Sequence, residues 1–297
     1  SGAAFVAAMS LPSRWFHSSH RARGAGVALA GAGLGILLSG FLVPQVTSVG
    51  GLAPWRVIWL GFAISNLVVA LIAAWLLRDT PADVGLEPYG NAGALDQSPA
   101  KRRALRLSEL DWPLLLQLGL IYASFGAAGL TYTTFIVTTM IDGYAVSPAR
   151  AGIMWSAVGA LSIFSGPLFG YLSDRLGRRV GMSSVLSLQA TAYAVVASDM
   201  GMAGLYLSIT LFGLTAWSMP SIVAAAAGDY FGVENATASF AILTLLYAVG
   251  QVVGPAGAGF IAEHSGGFAM TYGIAAGLTV AAVVLCGLLK PPRARIP

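Results

Sequence analysis

The sequence predicts an all-α polytopic membrane protein, and three observations carry that prediction. Of the 297 residues, 57% are hydrophobic and only 9% carry charge, against about 25% charged in an ordinary soluble domain. The apolar residues fall into eight runs, each near the 20 or so residues that cross a hydrocarbon core about 30 Å thick. Between the runs lie short stretches holding most of the Gly, Pro and charged residues, as expected where the chain turns in water.

In order, the eight expected spans are 24–46, 54–77, 112–136, 151–171, 180–197, 202–225, 236–261 and 268–289. The opening "SGAAFVAAMSLPSRWF" is apolar but too short to cross, since the stretch to Leu11 reaches only about 16 Å as a helix. It has neither a basic leader nor a small-residue cleavage site, so it does not read as a signal peptide. Two readings stay open: the end of a longer helix, or an interfacial stub.

Lys and Arg set the orientation. Alternate loops hold Arg14, Arg21 and Arg23, then Arg78, Lys101, Arg102, Arg103 and Arg106, then Arg175, Arg178 and Arg179, and lastly Lys290, Arg293 and Arg295. The other loops hold only Arg56 and Arg150. The basic loops, and with them the C-terminus, are expected in the cytoplasm, in a bacterial inner (plasma) membrane. The net charge of +4 needs no nucleic acid, because membrane-flanking loops account for it and no aromatic-interleaved basic groove is present.

The stretch 78–111 is expected to be a cytoplasmic linker. Its "RDTPADVGLEPYG" start reads as a flexible connector. Its second part, "SPAKRRALRLSELDWP", reads either as an inner-leaflet segment or as a solvated basic loop.

A faint internal repeat supports two similar halves. Arg14–Gly35 overlays Asp229–Gly250 at an offset of 215, so that Trp15 meets Tyr230, Phe16 meets Phe231 and Gly35 meets Gly250. A six-helix unit beginning near Trp112 then places the start of its copy about one hundred residues before Ser1. On that count residues 1–77 are the end of an N-terminal bundle (part of helix 4, helices 5 and 6), 112–290 a C-terminal six-helix bundle (helices 7 to 12) and 291–297 a cytoplasmic tail. The expectation is a chain lacking its first three helices.

The segment "FGYLSDRLGRRVG" puts one acid and three bases between two apolar runs. Its Gly170, Leu172, Asp174, Arg175, Gly177, Arg178 and Arg179 resemble the G-x-L-x-D-R-x-G-R-R/K loop of the major facilitator superfamily, here between helices 8 and 9. "RWFHSSHRARGAG" is similar to that family's entry to helix 5, and "GQVVGPAGAG" to the small-residue face of its helix 11. The resemblance implies two six-helix bundles rocking around a central site. It also implies that the loop is a gating latch against the start of helix 5, where Ser18 and Ser19 can cap the helix and Arg21 or Arg23 offers Asp174 a cation. The alternative is that these bases only set topology. Gly177 is expected to take the positive φ of a tight turn.

For a superfamily member the solute site lies between the halves near the bilayer midplane. Candidate lining residues are Tyr122, Phe125 and Tyr132 in one stripe of helix 7, and Thr244, Tyr247 and Gln251 at i, i+3, i+7 on helix 11. Trp155 on helix 8, Trp217 and Ser221 flanking Pro220 on helix 10, and Gln45 beside Pro44 on helix 5 complete the set. Interface anchoring and inter-helix hydrogen bonding are the competing roles for these residue types. Asp142, Asp199, Glu263 and His264 sit near span ends, so no carboxylate is expected at mid-depth, where proton coupling would use one. Helix 5 lacks the G-P-x-x-G-G pattern of drug/proton antiporters, while Gly31 and Gly35 offer a GxxxG contact face; Gly254 and Pro255 suggest close packing and a hinge.

The single cysteine, Cys286, implies no disulfide. His17, His20 and His264 do not converge with acids on a metal or catalytic site, and there is no Walker motif. The expected function is secondary active or facilitative transport of a small solute, by a monomer in the lipid bilayer, with no cofactor, no metal and no enzyme activity; protons are a candidate coupling ion. Proton-coupled efflux of a drug or metabolite is the alternative within the superfamily, and a receptor or membrane enzyme the alternative outside it.

Overall fold

A computed structural model describes residues 11, 15–16, 21–48, 54–87, 89 and 111–290, with the side chains of 21–27, 47–48, 54 and 233–234 excepted. The described chain is helical: α1 (Arg21–Ser48), α2 (Pro54–Leu76), α3 (Trp112–Thr138), α4 (Pro148–Leu176), α5 (Arg178–Ala197), α6 (Gly201–Thr215), α7 (Ser218–Phe231), α8 (Val233–Ser265) and α9 (Ala269–Leu288). α6 and α7 together make one span, giving eight helical segments long and apolar enough to cross a membrane. Helix starts follow local chemistry. The Asp111 carboxylate accepts from the Leu114 N–H ahead of α3, and the Ser147 hydroxyl from the Arg150 N–H ahead of α4, with Pro113 and Pro148 in the first turns.

The six spans α3–α9 form a bundle with two apolar cores. At the Gly177 end, Leu118, Tyr122, Phe169, Met182, Ile222 and Cys286 enclose one. At the opposite end, Tyr132, Met140, Met154, Tyr193, Leu205 and Phe212 enclose the other. α3 packs against α8 and α9, α5 against α6 and α9, and α4 against α6 and α7. Small residues set the closest crossing. A Cβ on Gly250 or Gly254 would run into the Ala123 or Ala127 carbonyl oxygen of α3, so α3 and α8 touch backbone to backbone, as helices in lipid do where no hydrophobic force drives them together. The same observation gives Gly254 its packing role.

α1 docks on α4 by the same device, through residues other than Gly31 and Gly35. Among the described residues, a Cβ at either of those two would meet nothing within 4 Å. The contact runs instead through Gly33 against Gly159 and Ser162, and Gly40 against Gly152 and Ser156, with the Ser156 hydroxyl donating to the Leu37 carbonyl at 2.9 Å. The glycines of α1 fall on more than one face, and only the tertiary contact shows which face is used. α2 touches α1 lightly, and none of Trp55–Leu76 is buried.

The head of the linker is folded rather than loose. The Trp15 indole N–H donates to the Arg78 carbonyl at 2.9 Å, and the Tyr89 N–H to the Trp15 carbonyl at 2.9 Å. Between them a short 3₁₀ turn, Pro81–Val84, ends on Gly85 at φ +70°. "PADVG" thus supplies a capped turn where composition alone suggested coil.

Candidate functional site

The charged loop sits where α4 meets α5. Gly177 has φ +91° and ψ 156°, a conformation open to glycine alone at low cost, and it lets one helix stop and the next start within a single residue. Gly232 repeats the conformation, φ +83° and ψ 157°, between α7 and α8. Arg178 joins these two corners. Its Nε donates to Asp229 Oδ2 at 2.7 Å, in the last turn of α7, while its Nη1 donates to Asp174 Oδ1 and, at 3.3 Å, to the Ser173 hydroxyl. A cation at the first residue of α5 opposes the helix dipole, and two carboxylates offset that cost. The arginine side chain is 17% exposed, against 58% for Asp174 and 44% for Asp229, so the carboxylates remain hydrated and each pair contributes at most about 1 kcal/mol.

The rest of the motif has plain roles. Leu172 packs against the nearby core. The Arg175 guanidinium lies 4.8 Å over the Tyr171 ring, a cation–π contact at an exposed site. Gly170 has nothing within 4 Å of a built Cβ, and Arg179 reaches toward Gly287 of α9. Ser18 and Ser19 lie outside the described residues, as do the side chains of Arg21 and Arg23.

In the interior, two of the expected groups become one. Tyr122 and Tyr247 stack with ring centroids 4.4 Å apart, and Phe125 lies 6.2 Å from the first and 6.0 Å from the second. Gln251 Nε2 donates to the Tyr247 hydroxyl at 2.9 Å. Tyr122 and Phe125 are buried, whereas Tyr247 and Gln251 are half-buried. Thr244 donates to the Phe240 carbonyl of its own helix.

Tyr132 leaves the candidate lining. It is fully buried in the second core, stacked on Phe212 at 4.2 Å, with its hydroxyl 2.8 Å from Ser208. It shares a helical face with Phe125, but two turns further along that face is covered by α5, α6 and α9. Trp155 packs half-buried against the same core, and Gln45 is exposed near the end of α1.

The span expected as one helix over 202–225 is broken at Ala216–Trp217. Pro220 lacks an N–H and its ring crowds the carbonyl four residues earlier, which is that of Ala216. α4 holds the break. The Trp217 N–H donates to the Ser165 hydroxyl at 3.1 Å, and the Ser218 hydroxyl donates to the Ser165 carbonyl at 2.9 Å. Ser221 turns back to the Ser218 carbonyl. The Trp217 indole nitrogen is buried with no hydrogen-bond partner among the described residues. Trp217 and Ser221 were among the expected lining residues, whereas Ser165 and Ser218, which hold the break, were not; the usable signal was Pro220 four residues after Ala216.

Comparison with known proteins adds the family. The family described as "Uncharacterised MFS-type transporter YbfB" matches residues 1–287. The chain belongs to the MFS-type transporters. An Agrobacterium vitis protein named as a tartrate transporter is 25% identical over 298 residues, covering 93% of this chain and 64% of its own length. A Mycobacterium tuberculosis protein named as the nitrate/nitrite transporter NarK2 is 23% identical over 245 residues, covering 79% and 58%. This MFS-type chain thus spans about three-fifths of the length of these relatives. A solved bacterial homologue of the human lysosomal transporter Spinster, inward-facing and unoccupied, shares the fold with a TM-score of 0.56 at 17% identity, over 95% of this chain and 71% of that one.

Proposed function

We propose that this chain is the greater part of a secondary transporter that carries a small solute across a bacterial inner membrane by rocking two helical halves, with its C-terminus in the cytoplasm. The observation that carries the reading is the family match through all eight spans, residues 1–287. α1 and α4 lie backbone to backbone through glycines, a contact without interlocking large side chains, which suits two halves that shift against each other.

The solute we propose is a small oxyanion or dicarboxylate, the class in the names of the tartrate and nitrate/nitrite relatives. Tyr247, Gln251 and Trp217 supply hydrogen-bond donors for it, and Tyr122 and Phe125 support the Tyr247 ring. The described carboxylates of the spans, Asp142, Asp174, Asp199, Asp229 and Glu263, sit at or beyond helix ends. Proton coupling would therefore need a group outside the described residues; without one, transport is uncoupled. The Asp174–Arg178–Asp229 network is the proposed gate. More than half of the Asp174 side chain is open, leaving acceptor capacity for the N–H groups at the start of α1.

Full-length protein in proteoliposomes should take up labelled tartrate or nitrate above empty vesicles, and a pH gradient separates uniport from proton coupling. Absence of uptake or counterflow for both anions refutes the solute class; carriage of an unrelated drug instead favours efflux.

A further inference from the structure

We propose that Ser165 is a positioning residue that couples the α1–α4 contact to the break between α6 and α7, so that the break responds when α1 moves. The inference rests on the transport reading above for its purpose, but its test does not.

Ser165 is fully buried, and its hydroxyl both donates and accepts while its carbonyl accepts as well. Its hydroxyl proton goes to the Ser162 carbonyl at 2.8 Å, its lone pair takes the Trp217 N–H at 3.1 Å, and its own carbonyl takes the Ser218 hydroxyl at 2.9 Å. A hydroxyl has one proton to give, so the bond to Ser162 fixes the direction from which Trp217 is received. One turn earlier Ser162, and nearly two turns earlier Gly159, meet α1. A Cβ on Gly33 would lie 2.7 Å from the Ser162 hydroxyl oxygen, and one on Gly159 2.7 Å from the Gly33 carbonyl oxygen. Two turns of α4, residues 159–165, therefore touch α1 on one side and grip the break on the other.

The break has a second arrangement available. In an uninterrupted helix the Trp217 N–H would turn to the carbonyl four residues back, that of Gly213. Here Trp217 has φ −113° and ψ 16° and its N–H is on Ser165. Moving between these states exchanges one hydrogen bond for another, so a small displacement of α4 relative to α6 biases the choice. A shift of α1 that leans on Ser162 displaces the Ser165 hydroxyl directly.

Amide hydrogen exchange on purified full-length protein tests this at the Trp217 amide, with α5 amides as internal reference. Ser165→Ala should raise Trp217 exchange about two- to tenfold, the factor for one lost hydrogen bond, with α5 unchanged. Gly33→Ala should raise it as well, although it sits on another helix, whereas Gly31→Ala, with open space around it, should not. If Gly33→Ala does not fold, Ser156→Ala removes the α4-to-α1 hydrogen bond without added bulk and should act in the same direction more weakly. Unchanged exchange in Ser165→Ala overturns the stitch. Equal exchange in the Gly33 and Gly31 variants, or in Ser156→Ala and the parent, overturns the coupling. None of these readings depends on which solute is carried, so a failed uptake assay leaves the result standing.

Discussion

The two helices before the linker and the six spans after it are both apolar, yet they are held in different ways. The bundle of α3–α9 has two enclosed cores in which aromatic rings stack and hydroxyls pair across helices, as with Tyr132 on Ser208 and Thr139 with Tyr272. α1 has one face shaped to fit α4 and little else, and α2 buries nothing against the described chain. In lipid, apolar composition alone pulls no two helices together. What distinguishes the regions is shape and hydrogen bonding, and that difference is open to mutation.

The largest effect should come from the bundle core. Tyr132→Ala removes a fully buried ring shared by four helices and should cost about 3 to 5 kcal/mol, read as a fall in the thermal midpoint of the full-length protein in detergent. Tyr132→Phe, which loses only the bond to Ser208, should cost about 1 kcal/mol. Next in size is Gly40→Leu. Its Cβ would sit 2.6 Å from the Gly152 carbonyl and the Ser156 hydroxyl, an overpacking worth about 1 to 3 kcal/mol. It should free α1 from α4 while the bundle's thermal midpoint barely moves; a fall as large as that of Tyr132→Ala would erase the distinction between the regions.

At the charged corner, Asp229→Asn should cost about 0.5 to 1 kcal/mol, because the pair with Arg178 joins two helix junctions. Asp174→Asn should cost less than about 0.5 kcal/mol in stability, since its pair is an exposed i,i+4 contact. Denaturation of the two variants side by side gives the ranking, and the reverse order would make the local pair the structural one. The smallest effect belongs to α2. Val69→Ala, on a helix with no buried residue, should stay within about 0.5 kcal/mol by the same measurement.

Much of this architecture was legible in the sequence because membrane spans are written in composition. The expected 24–46 and 268–289 correspond to Arg21–Ser48 and Ala269–Leu288. Faces and partners were harder to read. Gly31 and Gly35 have the spacing of a contact face but a Cβ at either would meet no other described residue, while Gly33 and Gly40 make the contact, since a helix rich in small residues offers several stripes and lipid does not select among them. Tyr122 and Tyr132 look alike on helix 7 but face different neighbours, because depth along a helix changes what covers the same stripe. The break at Trp217 was half legible: Pro220 marks a kink, but the serines that hold it come from a helix some fifty residues earlier. Asp174 was expected to reach toward α1, and the described residues pair it with Arg178, which also takes Asp229 of its own bundle.

Cross-linking Gly40→Cys with Ser156→Cys in the full-length protein, with Cys286 and any other cysteines replaced, tests the docking of α1 on α4 most directly. A Cβ at Gly40 would meet the Ser156 hydroxyl oxygen at 2.6 Å, so the two positions adjoin, and a slight parting of α1 from α4 gives the spacing of a disulfide. The pair should cross-link in good yield under mild oxidation, while Gly35→Cys with Ser156→Cys stays open. Equal yields from the two pairs would contradict the glycine-to-glycine contact on which the two-region description stands.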